Sequence, residues 1–221
     1  MNTKKLIIVG AGSFGREVHQ WLEDWIAFHP DWSIAGFIDD TKTHLGNLLN
    51  YSPVLGSIAE YAPAADEYLV CAIATPEHKK AVVTKLLGRG AQFFTLVHPT
   101  AIVGKNVIIG EGSVICPHAI LSVDLEIGAF ATINSASTVA HDVKMGKFVT
   151  LSLQCDVTGG VILGDEVFLG SRASVLPHIH VGHKACIGAG SVVNRSVAAG
   201  LTVVGVPARK IEYADGLKHV T

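Results

Sequence analysis

A small doubly wound α/β unit followed by a parallel β-helix is the fold that this sequence predicts, on three observations. The first is a period of six. Val97, Val103, Ile109, Ile115, Leu121, Ile127, Ile133, Val139, Met145, Leu151, Val157, Leu163, Leu169, Val175, Val181, Ile187 and Val193 are all aliphatic or Met, with no break in register. The residue after each is usually small, with Gly at 104, 110, 128, 146, 164, 170, 182 and 188. Ordinary strands alternate at period two and helices repeat at 3.6, so neither accounts for the pattern. Short strands joined by sharp turns into stacked coils do. The second observation is an apolar run, Lys4 to Val9, ending in glycines spaced G-x-G-x-x-G at 10, 12 and 15. The third is the alternation of strand and helix patterns that follows, up to residue 96. The chain accordingly divides into a Rossmann-like unit over 1–96, a β-helix over 97–205 and a C-terminal tail over 206–221.

Taken in order, Lys4 to Val9 is continuously apolar and reads as a buried parallel strand. A helix begins at the glycine loop and runs to about Phe28, with Val18, Leu22, Trp25 and Ile26 facing inward. Trp32 to Ile38 is a second strand, followed by Asp39 and Asp40. Tyr68 to Ala74 is a third, a helix spans Pro76 to Leu87, and Gln92 to Leu96 supplies a fourth strand. From Val97, three six-residue strands make one coil, so residues three repeats apart stack and inward positions are apolar. Such a solenoid has roughly five coils, and its flat flanks favour self-association.

The chain has 221 residues and is 49% hydrophobic, ample for one or two cores. Its net charge of -2, with no basic patch carrying interleaved aromatics, points away from nucleic acid. The opening MNTKKLIIVGAGSFG has the look of a signal peptide, but its apolar run is short and ends in a glycine loop without a cleavage pattern. A buried first strand is the expectation. No stretch reaches the length of a membrane span. Cys71, Cys116, Cys155 and Cys186 are scattered without metal spacing and read as reduced core residues of a cytoplasmic protein.

The glycines at 10, 12 and 15 let the backbone approach a ligand, and a helix N-terminus offers N–H groups to phosphate. Asp39, at the end of the second strand, is placed to accept hydrogen bonds from ribose or sugar hydroxyls. A nucleotide carrying another group, a nicotinamide dinucleotide and a ligand-free tight turn all fit this loop. His78, which begins the second helix, faces the same crevice.

One polar cluster interrupts the repeat: Asn134 in INSAS and His141-Asp142 in VAHDV. His141 stacks between Val123 and Gly159, and Asp142 between Asp124 and Gly160. The paired glycines remove side-chain bulk beside the histidine and leave room for something extended to pass. A neutral imidazole accepts a proton near pH 7, and either Asp142 or Asp124 is placed to orient it. His118, His178, His180 and His183 do not gather at one corner, so no metal is expected. His98, at the start of the solenoid, has a solvated or packed role by default.

GAGSFG and GFIDD near the amino terminus, VAHDV and TGGV in the middle, and VVGVPARKI at the end resemble the sialic acid O-acetyltransferase-like family of hexapeptide acyltransferases. The resemblance covers nearly the whole chain. It implies a left-handed helix, a homotrimer, acetyl-CoA as acyl donor, and an acetyltransferase acting on a nucleotide-linked amino sugar. By the same resemblance His141 is the general base, with Asp142 beside it. Asn134, Thr150, Gly159, Ser171 and Ala189 form the coenzyme A set. Thr150 stands where some members carry a second histidine. Gly12, Ser13, Phe14, Gly15, Asp39, Asp40, Ala74 and His78 form the nucleotide-sugar set, with Phe14 where the family usually has His. O-acetylation of sialic acid or a related sugar, and a non-catalytic β-helix serving as a scaffold, are the alternatives.

Overall fold

The computed structural model describes residues 3–41, 45 and 48–211. The α/β unit contains β1 (Lys4–Val9), α1 (Ser13–Ile26), β2 (Trp32–Ile38), β3 (Val54–Gly56), β4 (Glu67–Cys71), α2 (Pro76–Leu87) and β5 (Gln92–Phe93). Its sheet runs β3-β2-β1-β4-β5 with every pairing parallel. The expected strands and helices are present, and β3 is an addition. The expected strand over Tyr68 to Ala74 stops at Cys71, and the one over Gln92 to Leu96 is split. Its last residue has crossed into the solenoid, where Leu96–Val97 pairs with Val114–Ile115.

The solenoid is a triangular prism with three parallel walls. Wall one stacks Leu96–Val97, Val114–Ile115, Thr132–Ile133, Thr150–Leu151, Phe168–Leu169, Cys186–Ile187 and Thr202–Val204. Wall two runs from Ile102–Val103 to Val192–Val193, and wall three from Val107–Ile109 to His180–Val181. The helix is left-handed. Partners lie three repeats apart, as in Thr138↔Asp156 and Val139↔Val157. The aliphatic of each repeat points inward, and a second inward position two residues earlier holds smaller side chains such as Ala131, Ser137, Cys155 and Ala173. Apolar contact along the prism axis is therefore continuous.

Each corner bends through one left-handed residue: Asn106, His118, Asp124, Phe130 and their successors every six residues have φ near +60°. That conformation costs a non-glycine residue about 1–2 kcal/mol. The hydrogen bonds and burial of the stacked coils offset this. The glycines after the inward aliphatics have another cause. A Cβ on Gly104 would lie 1.9 Å from the Ser122 carbonyl oxygen of the next coil.

The α/β unit docks on wall one. Leu96, Val114 and Cys116 join Leu6, Phe37 and Leu22 in one apolar cluster, and Phe130 joins Val83 and Phe93 in another. Between them lies one buried charge. Lys79 of α2, 1% exposed, points Nζ at the Phe130 carbonyl (3.1 Å), Thr132 Oγ1 (2.8 Å) and Thr150 Oγ1 (2.9 Å). Beyond the last coil, Arg209–Lys210 turns back as an antiparallel strand on Thr202–Val204. The start of the expected C-terminal tail is thus part of the sheet; residues 212–221 lie outside the described residues.

Candidate active site

In the α/β sheet the strand order reverses between β1 and β4, and a crevice opens beyond their carboxyl ends. The three glycines that end β1 serve different needs. Gly10 has φ +102°, a conformation L side chains rarely adopt. Gly15 lies so close to the preceding turn that a Cβ would sit 2.0 Å from the Gly10 carbonyl oxygen. Nothing lies within 4 Å of the Cβ that Gly12 lacks, so its face is open to the crevice. The first turn of α1 has no side-chain cap and no acidic residue. Its N–H groups and the positive end of its dipole are available to an anion.

Asp39 takes a different place from the one expected. It is 6% exposed, and its carboxylate accepts the N–H groups of Ala11 (2.7 Å) and Thr41 (2.6 Å). It ties the glycine loop to the end of β2 instead of turning toward a sugar hydroxyl. Asp40 Oδ1 accepts the Ala59 N–H at 3.0 Å. Phe14 is half-buried, edge-on to Trp21. Ser13 is exposed, and its hydroxyl accepts from Arg16 Nη2 at 3.3 Å. Ala74 borders a cleft of 540 Å³ between the start of α2 and wall one, with Thr75, Ser152, Glu166, Phe168 and Lys184. His78 is exposed on α2 and is not part of that lining.

On the solenoid, the corner joining walls two and three brings together the central polar residues. His141 Nδ1 and Asp142 Oδ2 are 2.7 Å apart, and both side chains are exposed. Asp124 is committed elsewhere, accepting from Asn106 Nδ2 at 2.7 Å, which leaves Asp142 as the orienting carboxylate. The space beside Gly159 and Gly160, expected to be open, is occupied by imidazoles. A Cβ on Gly159 would meet His141 Cε1 at 2.6 Å, and one on Gly160 would meet His178 Nδ1 at 2.4 Å. The glycines make room for the two rings.

The expected coenzyme A set divides over two corners and a wall. Gly159 sits with His141. Asn134, whose side-chain oxygen accepts the Ser135 N–H at 2.7 Å, shares the corner between walls one and two with Ser171 and Ala189. Thr150 belongs to neither. It is buried at the junction, accepting from Lys79 and donating to the Ala74 carbonyl at 2.7 Å, so its hydroxyl proton is not free for a thioester. Among the described residues, no three of His, Cys, Asp and Glu gather as a cation cage.

Comparison with known proteins follows this division. The profile of the PglD N-terminal domain matches residues 5–86, and that of the bacterial transferase hexapeptide repeats matches 160–195. WeeI from Acinetobacter baumannii is 32% identical, superposes with a TM-score of 0.83, and is matched over 93% of this chain and 99% of its own. The chain belongs to the hexapeptide-repeat transferases with a PglD-type N-terminal domain. Another structure of this family, PerB from Caulobacter crescentus in complex with CoA and GDP-perosamine, is 27% identical with a TM-score of 0.81, over 94% of this chain and 97% of that one. The GDP-perosamine N-acetyltransferase of Escherichia coli O157:H7 is 34% identical over 113 residues, 50% of each protein. The UDP-N-acetylbacillosamine N-acetyltransferase of Bacillus subtilis is 33% identical over 114 residues. The chain spans about half the length of these curated relatives in the match.

Against the family frame, three side chains stand out that sequence reasoning passed over, Arg16, Lys79 and Glu166. Arg16 shares a helical turn with Ser13, and its Nε is buried without a partner among the described residues. The spacing of three from Ser13 was the available signal. Lys79 and Glu166 hold the junction, Glu166 accepting from Lys80 at 2.6 Å. His178, which the sequence offers with His118 as the next base to test after His141, lies on the coil above the glycine pair.

Proposed function

We propose that the protein is an acetyl-CoA-dependent N-acetyltransferase acting on a nucleotide-linked amino sugar. The observation that carries this reading is the exposed His141–Asp142 pair at 2.7 Å on a hexapeptide solenoid that also bears an α/β unit with an open glycine crevice. The relatives support it. They are N-acetyltransferases of nucleotide-linked sugars, and a perosamine N-acetyltransferase has been solved as a histidine mutant with CoA and GDP-perosamine.

In the proposed mechanism the nucleotide phosphates rest on the α1 N-terminus, with Gly12 open to them and Arg16 beside Ser13. His141, with its Nδ1 proton donated to Asp142, presents Nε2 to the sugar amine. The amine nitrogen bonds to the acetyl carbon as its proton passes to Nε2. The carbon–sulfur bond then breaks, and the leaving thiolate takes the proton. Direct transfer, without an acyl-enzyme, is the proposal: burial pushes the thiols of Cys71, Cys116, Cys155 and the half-buried Cys186 above their ordinary range. Thr150 is not part of this scheme, and Asp39 enters it only by shaping the loop. Asp39→Ala is expected to raise KM for the nucleotide sugar about tenfold, the worth of one charge-assisted hydrogen bond, and to leave KM for acetyl-CoA unchanged in steady-state kinetics.

A homotrimer belongs to the proposal. The corner carrying His141 is the prism edge opposite wall one, where the α/β unit docks. One chain therefore does not turn its crevice toward its own base, and a second copy completes the site. Exposed Ile102 and Ile120 on wall two and Ile108 and Ile162 on wall three provide apolar flanks for that contact. Four unpaired cysteines suit a reducing cytoplasm. No helix among the described residues is long and apolar enough to cross a membrane. The test is thiol release from acetyl-CoA with a panel of nucleotide-linked amino sugars and with sialic acid, alongside sedimentation equilibrium. Turnover of an amino sugar by a trimer is expected. Release with sialic acid alone would mark an O-acetyltransferase, and a fully active monomer would remove the trimer.

A further inference from the structure

Two imidazoles, not one, converge on the glycine pair. His141 reaches up from the coil below, its Cε1 and Nε2 within 2.6 and 2.7 Å of where a Gly159 Cβ would be. His178 reaches down from the coil above, its Nδ1 and Cε1 within 2.4 and 2.8 Å of where a Gly160 Cβ would be. The backbone fixes the stack: Gly160 N–H donates to the His141 carbonyl at 2.9 Å, and His178 N–H donates to the Gly159 carbonyl at 3.0 Å. Gly159 and Gly160 are consecutive, so the two rings line neighbouring positions of one corner, and a small group bound beside them faces both. The rings differ in one respect. His141 has a carboxylate partner, whereas His178 is exposed and makes no side-chain hydrogen bond or ion pair among the described residues.

We propose that His178 is a second catalytic residue of this corner, donating an N–H hydrogen bond to the acetyl carbonyl oxygen while that oxygen carries negative charge. The inference rests on the acyl-transfer reading above. The nitrogen–carbon bond forms, the amine proton goes to His141 Nε2, and the carbonyl π pair moves onto oxygen. When the pair returns, the carbon–sulfur bond breaks, its electrons leave on sulfur, and the thiolate takes the proton from His141. The His178 proton is never transferred, so the neutral ring is sufficient. The difference in partners assigns the two roles: Asp142 holds the His141 ring in one orientation to receive the proton, and the unpaired His178 keeps its N–H for substrate.

The chain supplies its own controls for the left-handed backbone at this position, φ +59°. Phe148, Gln154 and Ala136 occupy equivalent turns at φ +60°, +58° and +57°. His178→Phe keeps a ring without a donor, and His178→Gln keeps an N–H donor without a ring. For the phenylalanine variant kcat is expected to fall roughly 10²-fold, the scale of one lost oxyanion donor. KM for acetyl-CoA should be unchanged, since His178 acts on the oxygen only as it gains charge. The glutamine variant should recover to within about tenfold of wild type. If the phenylalanine variant does not fold, His178→Ala repeats the test. Normal turnover by His178→Phe, or equal loss in His178→Gln, would refute the role of His178 and leave the acyl-transfer reading intact. Absence of turnover by the wild type with every nucleotide-linked amino sugar would refute both.

Discussion

His141→Ala is expected to lose about 10²–10⁴-fold in kcat, the usual contribution of a positioned general base. The same loss should appear in kcat/KM, because the proton moves in the transition state. Coenzyme A affinity, measured by calorimetry, should hardly change. Asp142→Asn should cost less, because Asp142 orients the ring at 2.7 Å and transfers no proton. Gly159→Ala offers an independent approach to the same group. A methyl there would lie 2.6 Å from His141 Cε1, and the ring end of an exposed side chain gives way more readily than backbone. The fold should survive while the imidazole is pushed aside, so activity should fall toward that of His141→Ala at little cost in melting temperature. Near wild-type kcat in a folded His141→Ala protein would place the base elsewhere.

What was legible in the sequence was what repeats. The period of six placed the inward aliphatics from Ile115 to Val193 where the core now has them, because a stacked coil has no other way to bury them. The stacking of His141 on Gly159 followed from counting three repeats, but the purpose of the glycine did not. A gap in a column of side chains reads as space for a ligand until the neighbouring ring is seen to fill it. Asp39 shows the same limit in the other unit. Its position at the end of β2 was legible, while its direction, toward the Ala11 and Thr41 amides, depends on how the loop closes. β3 escaped notice because three residues carry no periodic signal. The junction was invisible for a different reason. Lys79 and Lys80 are adjacent on a polar helix and look alike in sequence, yet one is buried against wall one and the other reaches Glu166. Only the docking of the two units separates them.

Lys79→Met should therefore weaken the α/β unit selectively, and more at high pH than at neutral pH. Methionine has about the same length and packs in an apolar site, but it leaves the Phe130 and Val149 carbonyls and two threonine hydroxyls without the donor they now share. A buried acceptor left unsatisfied costs about 1–3 kcal/mol, partly offset by removing a buried charge, so a loss of roughly 2 kcal/mol is expected at pH 7. The pH dependence follows from burial, which moves the Lys79 ammonium from the ordinary 10.5 down to about 8. Below about pH 8 the folded and unfolded chains both carry the proton, and the full cost of burying the charge is present. Between about 8 and 10.5 the unfolded chain still holds a proton that the folded chain has released, so wild-type stability rises with pH across that window. The rise amounts to roughly 3 kcal/mol when complete. Lys79→Met has no such group and should lack it, so the gap between the two proteins should widen from pH 7 to pH 10. The readout is specific: Trp21, Trp25 and Trp32, the chain's 3 tryptophans, all lie in the α/β unit. Urea denaturation followed by tryptophan fluorescence at the two pH values decides the matter. Parallel pH profiles for wild type and variant would mean that Lys79 does not titrate in this window, and an unchanged midpoint at pH 7 would mean that its hydrogen bonds do not hold the junction.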